Sequence, residues 1–369
     1  MSIPSFTLNR QIEICGPEIS ERIAAAVASG QFILGSAVTE FETAIARAIG
    51  TPHAIGVANG SDALYLALRA LGIGTGDEVV TTPFTFFATA GSILRTGAKP
   101  VFTDIQVDTF NMDPDTALAR VTPRTRAMLP VHLFGLMADM TALMSGYSGP
   151  IVEDAAQAIG ASLHGRAAGT MGVLGCFSFF PTKNLGAFGD AGLVTAHDTG
   201  LADKVKILRV HGATKKYYHE TLGINSRLDA MQAAVLSAKL PYLAGWTERR
   251  IALATRYTNA LTQLGIAEVV PPIVPVGYRH VFHQYTIRAE RRDELAQHLK
   301  EHGIGTTVYY PLSLHLQPVF RELGYKAGEF PNSEEAQRVV LSLPMFPELT
   351  DLEVDQVVEA IGAFYGYHA

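Results

Sequence analysis

Lys183 lies in the stretch FSFFPTKNLGAFGDAGLVT, residues 177–195. An apolar run predicts a strand that ends shortly before this lysine, and Gly186, Gly189 and Gly192 follow before a second apolar run. Small residues let a ligand approach the backbone closely, and burial lowers the pKa of a lysine so that its free amine can form a Schiff base. The segment predicts either a solvated cation at a strand end or a nucleophile held in a pocket.

Asp154 is the second candidate, because it ends the apolar run PIVED at positions 150–154. A carboxylate at the end of a buried strand costs free energy unless a cation meets it. One interpretation is a loop acid or a helix cap. The other is a partner for a protonated ring nitrogen, with Gln157 three residues further on.

An anion site is predicted where the strand-like run HAIGVAN, residues 53–59, is followed by Gly60, Ser61 and Asp62 and then by helical sequence. The first backbone N–H groups of a helix point outward and attract anions. Serine and aspartate also favour a helix start that binds nothing, so the simple N-cap remains an alternative. The G-x-G-x-x-G spacing of dinucleotide sites is missing between strand and helix.

Together, an anion cradle, a carboxylate and a lysine match the three needs of pyridoxal 5'-phosphate (PLP). That cofactor requires phosphate contacts, a partner for its pyridine nitrogen and a lysine for its aldehyde. Phe84, Phe86 and Phe87 could add a ring that stacks on the pyridine, although at least two of the three are expected to pack as strand or core residues.

These residues need a scaffold, and residues 52 to about 210 alternate short β-rich runs with helical stretches. This rhythm predicts βαβ units in an α/β fold with a mostly parallel central sheet and helices on both faces. Ligands of such sheets bind at the carboxyl ends of the strands. We expect an N-terminal segment and large cofactor-binding domain over 1–242, and a smaller C-terminal α/β domain over 243–369.

Composition excludes several other classes of protein. The chain has 369 residues, 48% hydrophobic and 17% charged, with a net charge of −6, so no basic footprint for nucleic acid is expected. No window resembles a membrane span or a secretion signal. The two cysteines and the scattered histidines have no metal-ligand spacing. The low number of cysteines favours a reducing, cytoplasmic setting.

The sequence resembles the PLP-dependent nucleotide-sugar aminotransferases of the DegT/StrS type. Eight blocks match in the same order, namely GVANGSDAL, TTPFTFFATAGSIL, GAKPVFTDI, VEDAAQAIGA, FSFFPTKNLGAFGDAG, NSRLDAMQAAVL, HQYTIR and LSLPMFP. The resemblance runs through nearly the whole chain. It implies a type I (aspartate aminotransferase-like) fold and a homodimer whose active sites are shared between subunits.

The resemblance also implies roles for matching residues. Lys183 would bond to the cofactor aldehyde, Asp154 would bind the ring nitrogen, and Gln157 would contact the ring hydroxyl. The other cofactor contacts would be Gly60, Ser61 and Ser178 at the phosphate, Phe86 stacked on the ring, and Asn225 at the phosphate of the other subunit. The sugar-nucleotide site would be lined by Arg227, His315 and Tyr309 or Tyr310.

The implied reaction is transfer of an amino group, from L-glutamate through pyridoxamine phosphate, to a 3-keto or 4-keto hexose on UDP or dTDP. Such amino sugars belong to bacterial surface polysaccharide or secondary metabolism. Related sugar dehydratases carry histidine where this chain has Lys183, so the lysine favours transamination. Alternatives are sugar dehydration, a cyclitol-ketone substrate, a PLP-binding regulator without turnover, and a scaffold without a cofactor.

Overall fold

The computed structural model describes residues 2–367. Its helices begin at short polar caps in several places, as where Asn59 Oδ1 accepts the N–H of Asp62, or where Thr350 and Glu353 cap each other's backbone N–H groups. The α-helices are α1 (Asn9–Ser29), α2 (Ser36–Ile49), α3 (Gly60–Ala70), α4 (Phe87–Thr96), α5 (Pro114–Ala119), α6 (Met140–Gly146), α7 (Thr199–Leu208), α8 (Ala230–Lys239), α9 (Leu243–Leu264), α10 (Arg292–Glu301), α11 (Pro331–Val339) and α12 (Asp351–Tyr365).

The strands are short, and most of those in the centre of the molecule are buried. They are β1 (His53–Val57), β2 (Glu78–Thr81), β3 (Lys99–Phe102), β4 (Thr125–Met128), β5 (Val152–Asp154), β6 (Ser162–Leu163), β7 (Arg166–Ala167), β8 (Leu174–Ser178), β9 (Gly192–Ala196), β10 (Ala213–Lys215), β11 (Tyr218–His219), β12 (Val269–Val270), β13 (Tyr278–Arg279), β14 (Tyr285–Ala289) and β15 (Val340–Leu343).

The central sheet joins a three-stranded part, β3-β2-β4, to a four-stranded part, β5-β8-β9-β1. Parallel bridges between Met128 and Ile151 and between Val131 and Asp154 connect the two parts. Only β9 runs against its neighbours β8 and β1, whereas the other pairs within the two parts are parallel. The predicted, mostly parallel sheet is confirmed.

Helices cover both faces of this sheet. Consecutive residues of one strand point to opposite faces, so each face packs into a different core. Val79 and Val194 belong to a core shared with α3 and α7, whereas Val80 and Leu193 belong to a core shared with α2 and α8. Polar groups lie at the ends of the strands and not within these two cores. The carboxyl edge of the sheet is therefore where a ligand site can form.

A separate core lies in the C-terminal part of the chain, where β12, β14 and β15 form an antiparallel sheet packed against α9, α10 and α12. Ile3 joins this core, and the backbone groups of Ile3 bond to Gly303 and Gly305. The expected boundary between residues 242 and 243 stays a prediction, because Leu243 and Val281 pack in the core shared with α2 and α8, whereas Ile3 packs in the C-terminal core.

Within residues 2–367, no helix combines the length and apolar content needed to cross a membrane. The same residues contain no cluster of histidine, cysteine, aspartate or glutamate suited to a metal ion.

Candidate active site

A cavity of about 660 Å³ opens at the carboxyl edge of the central sheet. Its walls come from the segments that follow β1, β2, β4, β5 and β8, together with two segments of the C-terminal half. The lining includes Asn59, Gly60, Ser61, Thr85, Phe86, Thr89, Val131, Asp154, Gln157, Ser178, Thr182, Lys183, Asp190, His283, Tyr309 and Tyr310. Parallel strands place these loops side by side, which explains how residues distant in sequence meet.

Lys183 sits in a tight turn between β8 and β9 (residues 179–188, the Lys183 turn). The Lys183 N–H donates to Phe180 O and the Ala187 N–H donates to Phe179 O, each at 2.8 Å. A Cβ on Gly186 would lie 2.3 Å from Pro181 O, so only glycine permits this closure. The turn directs a partly buried lysine into the cavity.

Burial lowers the pKa of Lys183 to about 8, and the negative charge of Asp154 opposes this shift. The pKa of Lys239 is also lowered to about 8 by burial, so a lowered pKa alone does not select the reactive lysine. Position does, because Lys183 lines the cavity and Lys239 does not. Near pH 8 a large fraction of Lys183 carries the unprotonated amine that nucleophilic chemistry requires.

Asp154 ends β5 with only 4% of its surface exposed. Its Oδ2 accepts a hydrogen bond from Thr89 Oγ1 at 2.8 Å, and its Oδ1 accepts one from the Ala156 N–H at 3.2 Å. Burial raises the pKa of Asp154, while these two donors and the Lys183 charge oppose the rise. Within residues 2–367 no cationic side chain hydrogen-bonds to this carboxylate. A ligand with a protonated ring nitrogen would provide the missing cationic partner.

An anion cradle lies at the start of α3. Asn59 Oδ1 caps the Asp62 N–H at 2.8 Å, while the N–H groups of Gly60 and Ser61 precede any partner within the helix. A Cβ on Gly60 would lie 2.7 Å from Ser178 Cβ, so the glycine allows the Ser178 hydroxyl to approach the helix start. Two free amides and two hydroxyls therefore face the same end of the cavity, a donor set suited to a phosphate.

The aromatic residues separate as they pack. Phe86 is 57% exposed and lines the cavity, 6.3 Å from the ring of Tyr310. Phe84 is fully buried, and Phe87 packs against Phe320. Of the three rings, Phe86 is thus the one available to a bound cofactor.

Gln157 is held from both sides. Its Oε1 accepts the Phe134 N–H at 2.7 Å and its Nε2 donates to the Tyr310 hydroxyl at 3.1 Å. This ties the segment after β5 to the tyrosine pair at residues 309–310. Gln157, Tyr309 and Tyr310 all line the cavity.

Three predicted site residues lie outside the cavity lining. Asn225 is exposed and Arg227 partly buried, in the segment between β11 and α8. His315 is 2% exposed, with its Nε2 3.2 Å from Glu334 Oε1 and its ring edge-on to Phe330. His315 thus lies outside the cavity of its own chain, because its ring is enclosed by α11 and the segment before it, and its expected place at the sugar-nucleotide site stays a prediction.

Three other lining residues are not among the residues that the sequence indicates. Thr89, the hydroxyl donor to Asp154, lies in a segment whose aromatic rings are its main sequence signal. His283 lines the cavity and its Nδ1 lies 3.3 Å from Asn184 Oδ1. Asn59 ends the predicted strand, although an asparagine directly before Gly-Ser-Asp is a recognisable helix-cap signal.

Comparison with known proteins identifies the class. Residues 13–362 match the DegT/DnrJ/EryC1/StrS aminotransferase family, and the chain belongs to that family. Its members depend on PLP, and the donor set of this cavity fits the cofactor. The cradle at α3 suits its phosphate, Asp154 its ring nitrogen and Lys183 its aldehyde. The predicted family and cofactor are confirmed.

Relatives of known name cover almost the full chain. It is 53% identical to a "Pleiotropic regulatory protein" of Geobacillus stearothermophilus, with 100% of both chains covered. It is 42% identical to a UDP-N-acetyl-3-dehydro-alpha-D-glucosamine 3-aminotransferase of Acidithiobacillus ferrooxidans, covering 98% of this chain and 97% of the relative. It is 43% identical to the dTDP-3-amino-3,4,6-trideoxy-alpha-D-glucose transaminase of Streptomyces venezuelae, covering 97% and 95%.

A solved structure shares the fold over the entire length. The crystal structure of S. venezuelae DesV in complex with a ketimine intermediate has 42% sequence identity to this chain and a TM-score of 0.97, covering 100% of each chain. The predicted aminotransferase fold is confirmed, and the chain is a PLP-dependent sugar aminotransferase by family and fold.

Proposed function

We propose that this enzyme transfers an amino group from L-glutamate to C3 of a keto-hexose carried on UDP or dTDP, giving a 3-amino sugar. The observation that carries the proposal is the convergence of Lys183, Asp154 and the α3 amides on one cavity of about 660 Å³. Two of the relatives support the position C3, because their names place the amino group at C3 of a UDP-linked or dTDP-linked sugar.

PLP bound in this cavity supplies an aldehyde carbon and an electron-accepting ring. The α3 amides and the hydroxyls of Ser61 and Ser178 would hold the phosphate end. Phe86 would lie against the ring, and Gln157 would contact its hydroxyl. Asp154 would keep the ring nitrogen protonated, because a buried carboxylate favours a proton on a nitrogen opposite it.

Lys183 would hold the cofactor through its side-chain amine. Once an amino substrate had taken its place, the freed Nζ would accept a proton from the donor's α-carbon, and in the second half-reaction it would deliver a proton to the sugar carbon that receives the nitrogen. Such a positioned base typically contributes about 10²–10⁴-fold in rate. The lowered pKa of Lys183 matches this role, since both charge states are populated near pH 8.

We further propose a homodimer with shared active sites. Asn225 and Arg227 lie away from the cavity of their own chain, and a second subunit could present them to the partner's cofactor and substrate. Phe180, which lines the cavity, and Phe87, the residue after Phe86, each expose about half of their surface, an apolar area that a partner would cover. Cys15 and Cys176 are both free and buried thiols, which suits the proposed cytoplasmic location.

A regulator that binds PLP without turnover is a second candidate, because the relative with 53% identity carries a regulatory name. Against it, the lysine, the aspartate and the anion cradle are all present in one cavity. Sugar dehydration is less favoured because Lys183 is retained. A cyclitol ketone would occupy the same site, so only an activity assay distinguishes it from a keto-sugar as the substrate.

The test begins with borohydride reduction of the PLP-loaded protein and mass spectrometry of its peptides. We expect the label on Lys183, and its loss in Lys183→Ala, with Lys206→Ala as a control for an exposed lysine. Reduced cofactor on another lysine, or turnover retained in Lys183→Ala, would overturn the site assignment.

Substrate class is then read from a panel of 3-keto and 4-keto hexoses on UDP and dTDP, with a cyclitol ketone and a substrate for dehydration, each with L-glutamate and other amino donors. We expect 2-oxoglutarate and a 3-amino sugar in stoichiometric amounts. Labelled Lys183 with no product from any ketone would favour the regulator.

A further inference from the structure

Lys239, the last residue of α8, is a buried lysine that the reaction described above does not use. Its side chain is 1% exposed, and its Nζ donates to Gly186 O at 2.5 Å. The ammonium also lies 5.5 Å from the ring centroid of Phe188 and 6.0 Å from that of Trp246. Glu348 acts on this ammonium only through space, since no carboxylate within residues 2–367 lies within 4.0 Å of its Nζ. A lysine is rarely buried without a paired acid, because desolvating its charge is expensive.

The acceptor of this hydrogen bond belongs to the Lys183 turn. Gly186 follows Lys183 by three residues, and its backbone is pressed against Pro181. A shift of the Gly186 carbonyl would therefore be passed to the backbone that carries Lys183. The turn is also held by the hydrogen bonds from the Lys183 and Ala187 N–H groups, by Asn184 Nδ2, which donates to Val281 O at 3.1 Å, and by the burial of Leu185. The contact with Lys239 adds a fixed point at the carbonyl of Gly186.

A second side chain of α8 reaches the same turn. Gln232 Oε1 accepts the Phe188 N–H at 2.8 Å, and Gln232 Nε2 donates to Phe188 O at 3.4 Å. Gln232 and Lys239 are seven residues apart, so they lie on one face of the helix, two turns from each other. One face of α8 thus holds the turn at Gly186 and at Phe188.

We infer that Lys239 is a positioning residue for the reaction, and that α8 acts through it and Gln232 to fix the turn so that the Lys183 amine faces Asp154. The inference rests on the proposed role of Lys183. The positioning role explains why a buried cation is retained at position 239, where the one hydrogen-bond acceptor of its amine is a carbonyl of the Lys183 turn. A residue that merely fills space between α1 and α8 would need no charge.

The test compares Lys239→Met, which is one atom shorter, keeps an unbranched apolar stem and removes the donor, with Lys206→Met at an exposed site that pairs with Asp203. Hydrogen exchange of the full chain, read by mass spectrometry over residues 179–188 without cofactor, should rise about 10-fold or more in Lys239→Met. With cofactor, kcat should fall on the order of 10-fold to 100-fold at unchanged KM for the sugar. Lys206→Met should match the native protein in both.

Unchanged exchange over residues 179–188, or an equal rise throughout α1 and α8, would overturn the inference and leave Lys239 with a packing role only. If Lys239→Met does not fold, Gln232→Leu tests the same support at Phe188. It should raise exchange of the same peptide by a smaller factor, and no rise would refute the idea. Borohydride labelling keeps the two proposals apart, because cofactor on a lysine other than Lys183 rejects the proposed function, whatever the exchange result.

Discussion

Asparagine in place of Asp154 removes one negative charge from the cavity wall and nearly preserves the shape of the side chain. Both carboxylate oxygens accept a hydrogen bond, from Thr89 Oγ1 and from the Ala156 N–H. An amide has one acceptor oxygen, which can stay on the Ala156 N–H. The Thr89 hydroxyl can then accept from the amide, because Thr85 Oγ1 lies 3.0 Å away as a second partner. We therefore expect Asp154→Asn to fold.

The size of the effect follows from the contact that is lost. A hydrogen bond to a charged group contributes about 1.5–3 kcal/mol. The ring nitrogen needs its proton most while carbanion charge enters the ring, so this contribution falls mainly on the transition state. Since about 1.36 kcal/mol corresponds to a tenfold change in rate, the donor half-reaction should slow by about 10-fold to 150-fold.

Stopped-flow absorbance of the bound cofactor after mixing with L-glutamate measures this step without the sugar. Cofactor occupancy should stay substantial, because Lys183 and the α3 cradle remain. Asp203→Asn, at an exposed position of α7, serves as the control. A native rate in Asp154→Asn at full occupancy would show that the carboxylate is only a structural cap, and the electrostatic argument would be refuted.

Two further predictions follow from the same cavity. Gly60→Ala should weaken PLP binding about 10-fold, since its Cβ would lie 2.7 Å from Ser178 Cβ and overpacking typically costs about 1–3 kcal/mol. An equilibrium absorbance titration measures the affinity, and Gly74→Ala is the control because the nearest neighbour of its Cβ would be 3.5 Å away. Unchanged affinity in Gly60→Ala would count against the anion cradle. Covalent uptake of PLP by the cofactor-free protein should accelerate as pH rises to about 8 and then level off. The reason is that burial lowers the pKa of Lys183 to about 8 and only the unprotonated amine attacks the aldehyde. Rapid-mixing absorbance measures the midpoint of this pH profile, and a midpoint near 10.5 would exclude a desolvated lysine.

The parts of the fold that depend on local pattern could be predicted from the sequence. Alternating apolar runs and helical stretches indicate the sheet and its two helical layers, and the carboxyl-edge rule then brings Lys183, Asp154 and Gly60 to the same side. The reversed direction of β9 could not be predicted in this way, because the run GLVTA has the same pattern in either direction. The packing of Ile3 into the C-terminal core depends on a contact across some 300 positions, and no local signal encodes it.

The side-chain directions within loops were the least predictable feature of the site. Tyr310 lines the cavity, whereas the ring of His315, five residues later, is buried against Glu334 and Phe330. Lys239 lies in a helix whose sequence suggests an ordinary amphipathic element, and only the path of the neighbouring turn shows where its amine ends. Such directions depend on which distant segment packs alongside, and a single sequence does not state that.

The attachment of Ile3 to Gly303 and Gly305 has a practical consequence for dissecting this enzyme. A fragment that starts at residue 243 would lose an apolar side chain from its interior and leave the Gly303 carbonyl and the Gly305 N–H without their backbone partners. The same cut would uncover Phe320 and Phe330, which pack with Phe102 of the first half. Separate expression of the two halves should therefore yield a C-terminal piece that aggregates, even when residues 2–6 are added back as a peptide.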